Sequence, residues 1–411
     1  MLPPVLEIFV VWHPDDASGS AIAEELIEHF HGTPFTGLIG GAVEVFLRSQ
    51  EWTAAEAPRP IPLVHAPEPN GLSPPEIVGI VPLLGVELAA ALEQGGPWRK
   101  YIEDIVSAKH SHRQRVAILP YRLHAGSTDG TALGQLVGQF QAIGSAELRE
   151  GDTAPGMRCR DLAQGLAQFI SGDARLTAFI SHTKHSSSTD PADVKNLIDL
   201  VRNAIQSTRL GSFFDAQDLQ PGQEWSFELE NSASTSALLA LRTDLYPSRV
   251  WCQTEVLLAK RFGMPVITLD AIGHSEERGS FLMDHVPRVP IRVKNDEWIP
   301  GDVFRSLNLL VDECLKRALW TRQKQLAQGR SDLNVSWWAP HAPEPTTLAD
   351  WLLQAQAKGQ LPNPRSPLRI IHPDPPLGPS ERDVLHQMLE FGGLKGSLDV
   401  MTPRQLAARG A

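Results

Sequence analysis

The stretch LTAFISH, residues 176–182, sets a short, almost wholly apolar run from Leu176 to Ile180 against a polar end at Ser181 and His182. A strand buried on both faces of a parallel sheet reads as such a run, because neither face meets water and no alternation is needed. The residues that follow repeat the same grammar. DPADVKNLIDLVRNAIQST, 190–208, carries apolar residues at Val194, Leu197, Ile198, Val201 and Ile205, the spacing of one helix face. LGSFFD (210–215) is a second strand, and ALLALRT (237–243), PVITLD (265–270) and VPIRVK (289–294) supply three more, with a long helix expected from about Val303 to Leu326. Strands of this kind separated by helices define an α/β unit with a central parallel five-stranded sheet.

Upstream, the pattern occurs once already. VLEIFVVW, ASGSAIAEELIEHFH, AVEVFL, EIVGIVPLLG, WRKYIEDIVSAKH and RVAILPYR alternate strand-like and helical runs between residues 5 and 122. SGDARL, 171–176, follows a helix-like run and marks the boundary, so the expected organisation is 1–170, 171–327 and 328–411. At 411 residues the chain exceeds what one core usually serves. Pro crowds 54–76, 340–345 and 362–379, compositions expected of loops or linkers because Pro neither donates to a ladder nor continues a helix. The last forty-five or so residues read as a strand (LRII), a polar loop, a helix and a short strand at SLDVMT, too little to bury a core alone.

A formal charge of −11 disfavours broad attraction to nucleic acid or anionic membrane. Cys159, Cys252 and Cys314 stand too far apart for a disulfide framework or a Cys-x-x-Cys knuckle. No apolar run approaches the roughly 20 residues that span a bilayer. No basic segment precedes the first apolar one. The expectation is a cytoplasmic protein that contacts neither membrane nor nucleic acid directly.

Four motifs in order carry chemical meaning: Phe179 to Ser181; the loop Asp215, Asp218, Pro221, Gly222 and Trp225; Thr243, Asp244 and Tyr246; and the helix start Ser248, Arg249, Trp251, Cys252, Glu255. Each falls just after a strand, where ligands bind in open parallel sheets, so Ser181, His182, Asp215 and Ser248 gather on one rim. Ser248 suits an N-cap, and Trp251 and Glu255, four apart, share a helix face. A rim carboxylate beside an indole suits cleavage of a glycosidic bond through a ribosyl oxocarbenium ion, whose positive charge it stabilises.

Residues 176 to about 325 thereby resemble the Toll/interleukin receptor (TIR) family. The resemblance implies a flavodoxin-like fold and, as in many bacterial members, an NAD+ hydrolase that releases nicotinamide and forms ADP-ribose or cyclic ADP-ribose. It implies Glu255 as the catalytic residue. Ser181, His182, Phe214, Asp215, Trp225, Ser248 and Trp251 become the positions that contact NAD+, a substrate rather than a cofactor. The loop from Asp215 to Trp225 becomes the loop through which such domains self-associate. An anti-phage immune effector, triggered by assembly and by an upstream sensor or signalling nucleotide, is the role this suggests. His182 and Thr183 depart from the family, which often shows Tyr and basic residues there, and Lys184 to Ser188 is unusually polar. A non-catalytic TIR interaction module and a nucleoside 2'-deoxyribosyltransferase-like enzyme are the alternatives.

Plainer readings stand beside these. Glu255 also reads as an acid favouring a helix N-terminus. Cys252 reads as a small buried hydrophobe, Asp215, Asp218 and Gly222 as turn formers, and His182 as loop polarity. HPDD at 13–16 resembles the metal motif of LmbE-like sugar deacetylases. That pattern continues with Glu where Ala17 stands, and no metal is expected. Pro14 then stops a strand, and Asp15, Asp16 or Ser18 caps the helix through Ile27. The first unit reads as a TIR-like relative without catalytic residues: Glu103 lies five residues after Trp98 rather than four, and no Asp-to-Pro-Gly loop precedes it.

Overall fold

The structure is a computed structural model describing residues 5–32, 35, 43–51, 56–62, 74–144, 146–183, 194–215, 236–276, 279–283, 285–328, 333–360, 363, 366–394, 396 and 398–409. It is an α/β protein with parallel sheets, and it divides into two compact units, 2–174 and 175–411.

In the first unit the elements run β1 (Leu6–Val11), α1 (Ser18–His31), β2 (Val43–Arg48), β3 (Ile77–Leu84), α2 (Val86–Glu93), α3 (Pro97–Ser111), β4 (Val116–Ile118), β5 (Tyr121–Arg122), α4 (Ala132–Val137) and α5 (Ala154–Ile170). Strands pair in parallel in the order β2-β1-β3-β4, with β5 also on β3. Every residue of β3 is buried, as a central parallel strand requires. Pro82, which has no N–H to donate, falls in the gap between the β4 pairing at Val78–Ile80 and the β5 pairing at Leu83–Leu84. One face of this sheet packs Phe9, Val11 and Ile80 against Leu88, Ile102 and Ile105 of the helices.

The second unit opens with β6 (Thr177–Ser181), α6 (Val194–Ser207), β7 (Gly211–Asp215), β8 (Ser236–Arg242), α7 (Val250–Arg261), β9 (Val266–Asp270) and β10 (Arg288–Pro290). The sheet is parallel throughout, in the order β10-β9-β8-β6-β7. Numbered from β6, that is 2-1-3-4-5. VPIRVK is not one strand. After β10 the chain turns, and β11 (Val293–Lys294) pairs antiparallel with β12 (Glu297–Trp298). Asn295 and Asp296 between them take φ of 53° and 62°, the left-handed pair that a tight two-residue hairpin needs. The long helix α8 (Pro300–Gln328) follows.

The remaining elements belong to the same compact unit. They are β13 (Trp337–Trp338), α9 (Pro345–Ala357), β14 (Leu368–Ile371), α10 (Pro379–Phe391), β15 (Leu398–Met401) and α11 (Pro403–Ala408), with a parallel sheet ordered β13-β14-β15. Ile370, Leu348, Leu385 and Val400 form its core, and the Trp337 and Trp351 rings stack 5.0 Å apart. Prolines that suggest linkers in the sequence open helices instead. Pro345 and Pro379 each stand at a first helical position, where the missing N–H has no partner to lose. Among the described residues no helix is long and apolar enough to cross a membrane.

Candidate active site

Three buried polar side chains meet at the carboxyl end of the second unit's sheet. Ser181 is the last residue of β6, Tyr246 opens the 3-10 turn Tyr246–Ser248 that follows β8, and Glu255 lies on α7. They are 2%, 0% and 2% exposed, so their polar atoms must satisfy one another. The Ser181 hydroxyl donates to Glu255 Oε2 in a short hydrogen bond. The Ser181 Oγ and Tyr246 Oη atoms stand 2.6 Å apart. A serine hydroxyl has one hydrogen, so once it is given to the carboxylate the phenol must be the donor to Ser181. The chain of donation runs Tyr246 to Ser181 to Glu255, and it fixes the carboxylate's orientation. Burial, with the Glu255 carboxylate adding to it, holds the Tyr246 phenol well above its ordinary range, so it stays a donor.

Helix α7 presents this carboxylate because its inward positions follow the helical repeat: Cys252, Glu255, Val256, Ala259 and Lys260 are buried. Among apolar neighbours, Glu255 occupies a core position rather than a solvated one. Its reading as a helix-terminal acid does not fit, since α7 begins at Val250 and holds no acidic residue in its first turn. Trp251 is 49% exposed at the start of the helix. Cys252 is buried, and burial, then the Glu255 charge, pushes its thiol up to about 12. Its Sγ contacts the His182 carbonyl at 3.8 Å.

The remaining residues separate into those the structure locates and those it leaves outside. His182 is half-buried, its Nδ1 3.0 Å from the Thr183 carbonyl. Ser248 is not the N-cap. It ends the 3-10 turn and donates to the Leu245 carbonyl at 2.8 Å, while Arg249 takes the cap position with no side-chain bond. The 3-10 turn between β8 and α7, which carries the Tyr246 hydroxyl to Ser181, moves the cap and the helix start one residue on. Phe214 and Asp215 end β7 as backbone, but their side chains lie outside the described residues, as do Asp218, Pro221, Gly222, Trp225 and Lys184 to Ser188.

Of two further rim residues, Arg242 escapes sequence reasoning, while Asp244 is named there within a motif but without its partners. Arg242, the last residue of β8, makes a two-pronged pair with Glu276 and lies 3.9 Å from Asp270. Asp244 accepts from the Gly273 and His274 amides at 2.8 and 3.2 Å, holding the loop that follows β9. A charged residue closing a wholly buried strand, as in SALLALR, is the signal for Arg242. For Asp244 the partners stand about thirty positions away and nothing local announces them.

In the first unit, Asp16 does not cap its own helix. The N-cap of α1 is Ala17, with no side-chain bond, and Asp16 instead accepts from the Glu87 and Leu88 amides at 3.1 Å each, capping α2. His13 Nδ1 accepts from the Asp15 amide at 3.3 Å. Among the described residues no group of three or more His, Cys, Asp or Glu is arranged to hold a metal ion. Glu103 lies on the surface of α3, 2.9 Å from Arg99 Nε, unlike the buried Glu255.

Compared with known proteins, the chain matches no protein-family model and no curated protein.

Proposed function

We propose that the second unit is a flavodoxin-like TIR domain that hydrolyses NAD+, with Glu255 as its catalytic carboxylate. The single observation carrying this reading is the buried carboxylate oriented by Ser181 and Tyr246 at the carboxyl end of a 2-1-3-4-5 parallel sheet, where such folds place ligands. In the reaction, the bond between nicotinamide nitrogen and ribose C1′ breaks, and both electrons leave with neutral nicotinamide. The ribosyl group becomes an oxocarbenium ion, whose charge the Glu255 carboxylate stabilises. Water adds at C1′ and loses a proton, giving ADP-ribose; capture by an adenine nitrogen gives the cyclic product. Trp251, half-exposed one turn before Glu255, is the aromatic surface for the base.

A carboxylate 2% exposed meets no substrate until the chain around it shifts. That burial fits an enzyme at rest, activated by self-association or by an upstream sensor or signalling nucleotide, as in a cytoplasmic anti-phage effector. It equally favours a second reading, an interaction module in which Glu255 only ties α7 to β6. Incubating the concentrated full chain, with and without a crowding agent, with NAD+ separates the two. Nicotinamide release lost in Glu255→Gln supports the enzyme; no release under any condition, or release unchanged in the variant, leaves the module. Release of free base from 2'-deoxynucleosides in place of NAD+ would move the reading to a deoxyribosyltransferase-like enzyme.

A further inference from the structure

Helix α7 carries Glu255, and its two ends are held very differently. At its start no side chain caps the helix, and Val250 and Trp251 are exposed. At its end stand two consecutive cations, Lys260 and Arg261, and one neighbouring helix, α9, grips both. The Lys260 Nζ lies 2.7 Å from Oε1 of Glu344, the N-cap of α9, in a buried pair. Arg261 reaches Asp350, in the second turn of α9, with two prongs: Nε donates to Oδ2 at 2.9 Å and Nη2 to Oδ1 at 2.6 Å. Gln354 braces that carboxylate, its Nε2 2.8 Å from Oδ2. Just past α7, Gly263 at φ 69° abuts Pro340, where a Cβ would come 2.7 Å from the proline Cβ.

Consecutive residues project about 100° apart around a helix axis, and the two carboxylates come from positions about 9 Å apart along α9. Two pairs so placed fix both the roll of α7 about its axis and its slide along α9. Glu255 and Lys260 are both buried positions of α7, about 7.5 Å apart along its axis, so a roll or slide at the grip is carried to the carboxylate by a stiff helix. The gripping helix is itself anchored, since Leu348 of α9 packs with Ile370 and Leu385 in the core of the C-terminal sheet.

We propose that α9 is an inhibitory strap: by holding the end of α7 it keeps Glu255 in its buried place, and release of Lys260 and Arg261 frees α7 to bring the carboxylate to the rim. This role for α9 rests on the reading of Glu255 as the catalytic carboxylate, and it names the contact that an activating signal breaks. Cys252 reports on the restraint without reference to NAD+. It is buried on α7 three residues before Glu255, so a thiol reagent reaches it only when the helix leaves its place.

Iodoacetamide alkylation of the full chain with peptide mass mapping, together with hydrogen exchange of the α7 amides, compares wild type with Asp350→Asn, Glu344→Gln and the exchanged pair Arg261→Asp with Asp350→Arg. Cys159 and Cys314, buried on α5 and α8, are the controls for general unfolding. Asp350→Asn, which breaks a partly exposed pair, should speed Cys252 alkylation roughly threefold. Glu344→Gln, which breaks a buried one, should speed it more than about tenfold, with Cys159 and Cys314 still protected. The exchanged pair should return both readouts toward wild type. Nicotinamide release from NAD+, measured on the same samples, should rise in step with alkylation. If α7 loosens and no sample releases nicotinamide, the NAD+ reading fails while the restraint on α7 stands. The strap is overturned if both single variants, shown by circular dichroism to be folded, alkylate and exchange as the wild type does, or if all three cysteines open together in Asp350→Asn. It is overturned equally if release falls as α7 loosens, since the grip then positions Glu255 for reaction instead of withholding it.

Discussion

Changing Glu344 to Gln leaves the shape of its side chain and removes its charge, which isolates what the pair with Lys260 contributes. Lys260 and Glu344 are 6% and 8% exposed, with Nζ 2.7 Å from Oε1. Glu344 is also the N-cap of α9, in a reciprocal cap with Thr347. Gln retains an oxygen acceptor for the cap, so the loss falls mainly on the ammonium of Lys260, left buried without its counter-charge. Breaking one partner of a buried pair destabilises by about 3–5 kcal/mol, and the retained amide acceptor points to the lower end. Lys260→Met should lose less, because the carboxylate left behind still faces the positive end of α9, an interaction of about 0.3–1 kcal/mol. The double variant replaces the charges with neutral groups and should recover part of the loss, giving a coupling energy of about 2 kcal/mol. Urea unfolding followed by tryptophan fluorescence suits the measurement, since only Trp12, Trp52 and Trp98 of the ten tryptophans lie outside the second unit. A coupling below about 0.5 kcal/mol, the usual scatter for independent sites, would refute the argument that this ion pair fastens α7 to the C-terminal segment.

Other perturbations test other parts of the structure. Gly85→Ala would place a methyl 2.0 Å from the Asp16 carboxyl carbon and dislodge the cap on α2; a loss of about 2–4 kcal/mol from the lost cap and the crowding is expected in thermal unfolding of the variant. His372 is wholly buried, and burial pushes its pKa down to about 4 from 6.5. The unfolded chain thus binds its proton first as pH falls, so stability is lost from about pH 6.5 down to about pH 4, by roughly 3 kcal/mol in all. His372→Gln should flatten the dependence of urea midpoint on pH by that amount, whereas an unchanged slope would count against a neutral buried imidazole. Cys252, with its thiol pushed up to about 12, should resist iodoacetamide at pH 8 in the folded chain and react only after urea is added, as peptide mass mapping would show.

The strands were legible wherever burial on both faces left a continuous apolar run, as in β1, β3, β6, β8 and β9. VPIRVK misled because its hydrophobicity does not record that the strand ends at Pro290: the Arg292 amide donates to Asp302 instead of a ladder partner, and Val293 pairs antiparallel with Trp298. Residue types at strand ends pointed to Ser181 and Glu255, and the order of motifs put them on one rim. What joined them, Tyr246, stood in plain view within a motif, yet only the fold shows that its hydroxyl reaches a residue 65 positions earlier. Asp16 has the same lesson in the opposite sense. Asp16 stood among the candidate caps of α1, but the helix it caps begins 70 residues away, and sequence proximity favoured the wrong one.

The most direct measurement is nicotinamide release from NAD+ by the concentrated full chain, comparing wild type with Glu255→Gln and Glu255→Ala. Because carboxylate charge is what stabilises the oxocarbenium ion, both variants should fall by at least about a hundredfold while remaining folded. Turnover by either variant within a few fold of wild type, or none by wild type at any protein concentration, would contradict the assignment of Glu255 as the catalytic group.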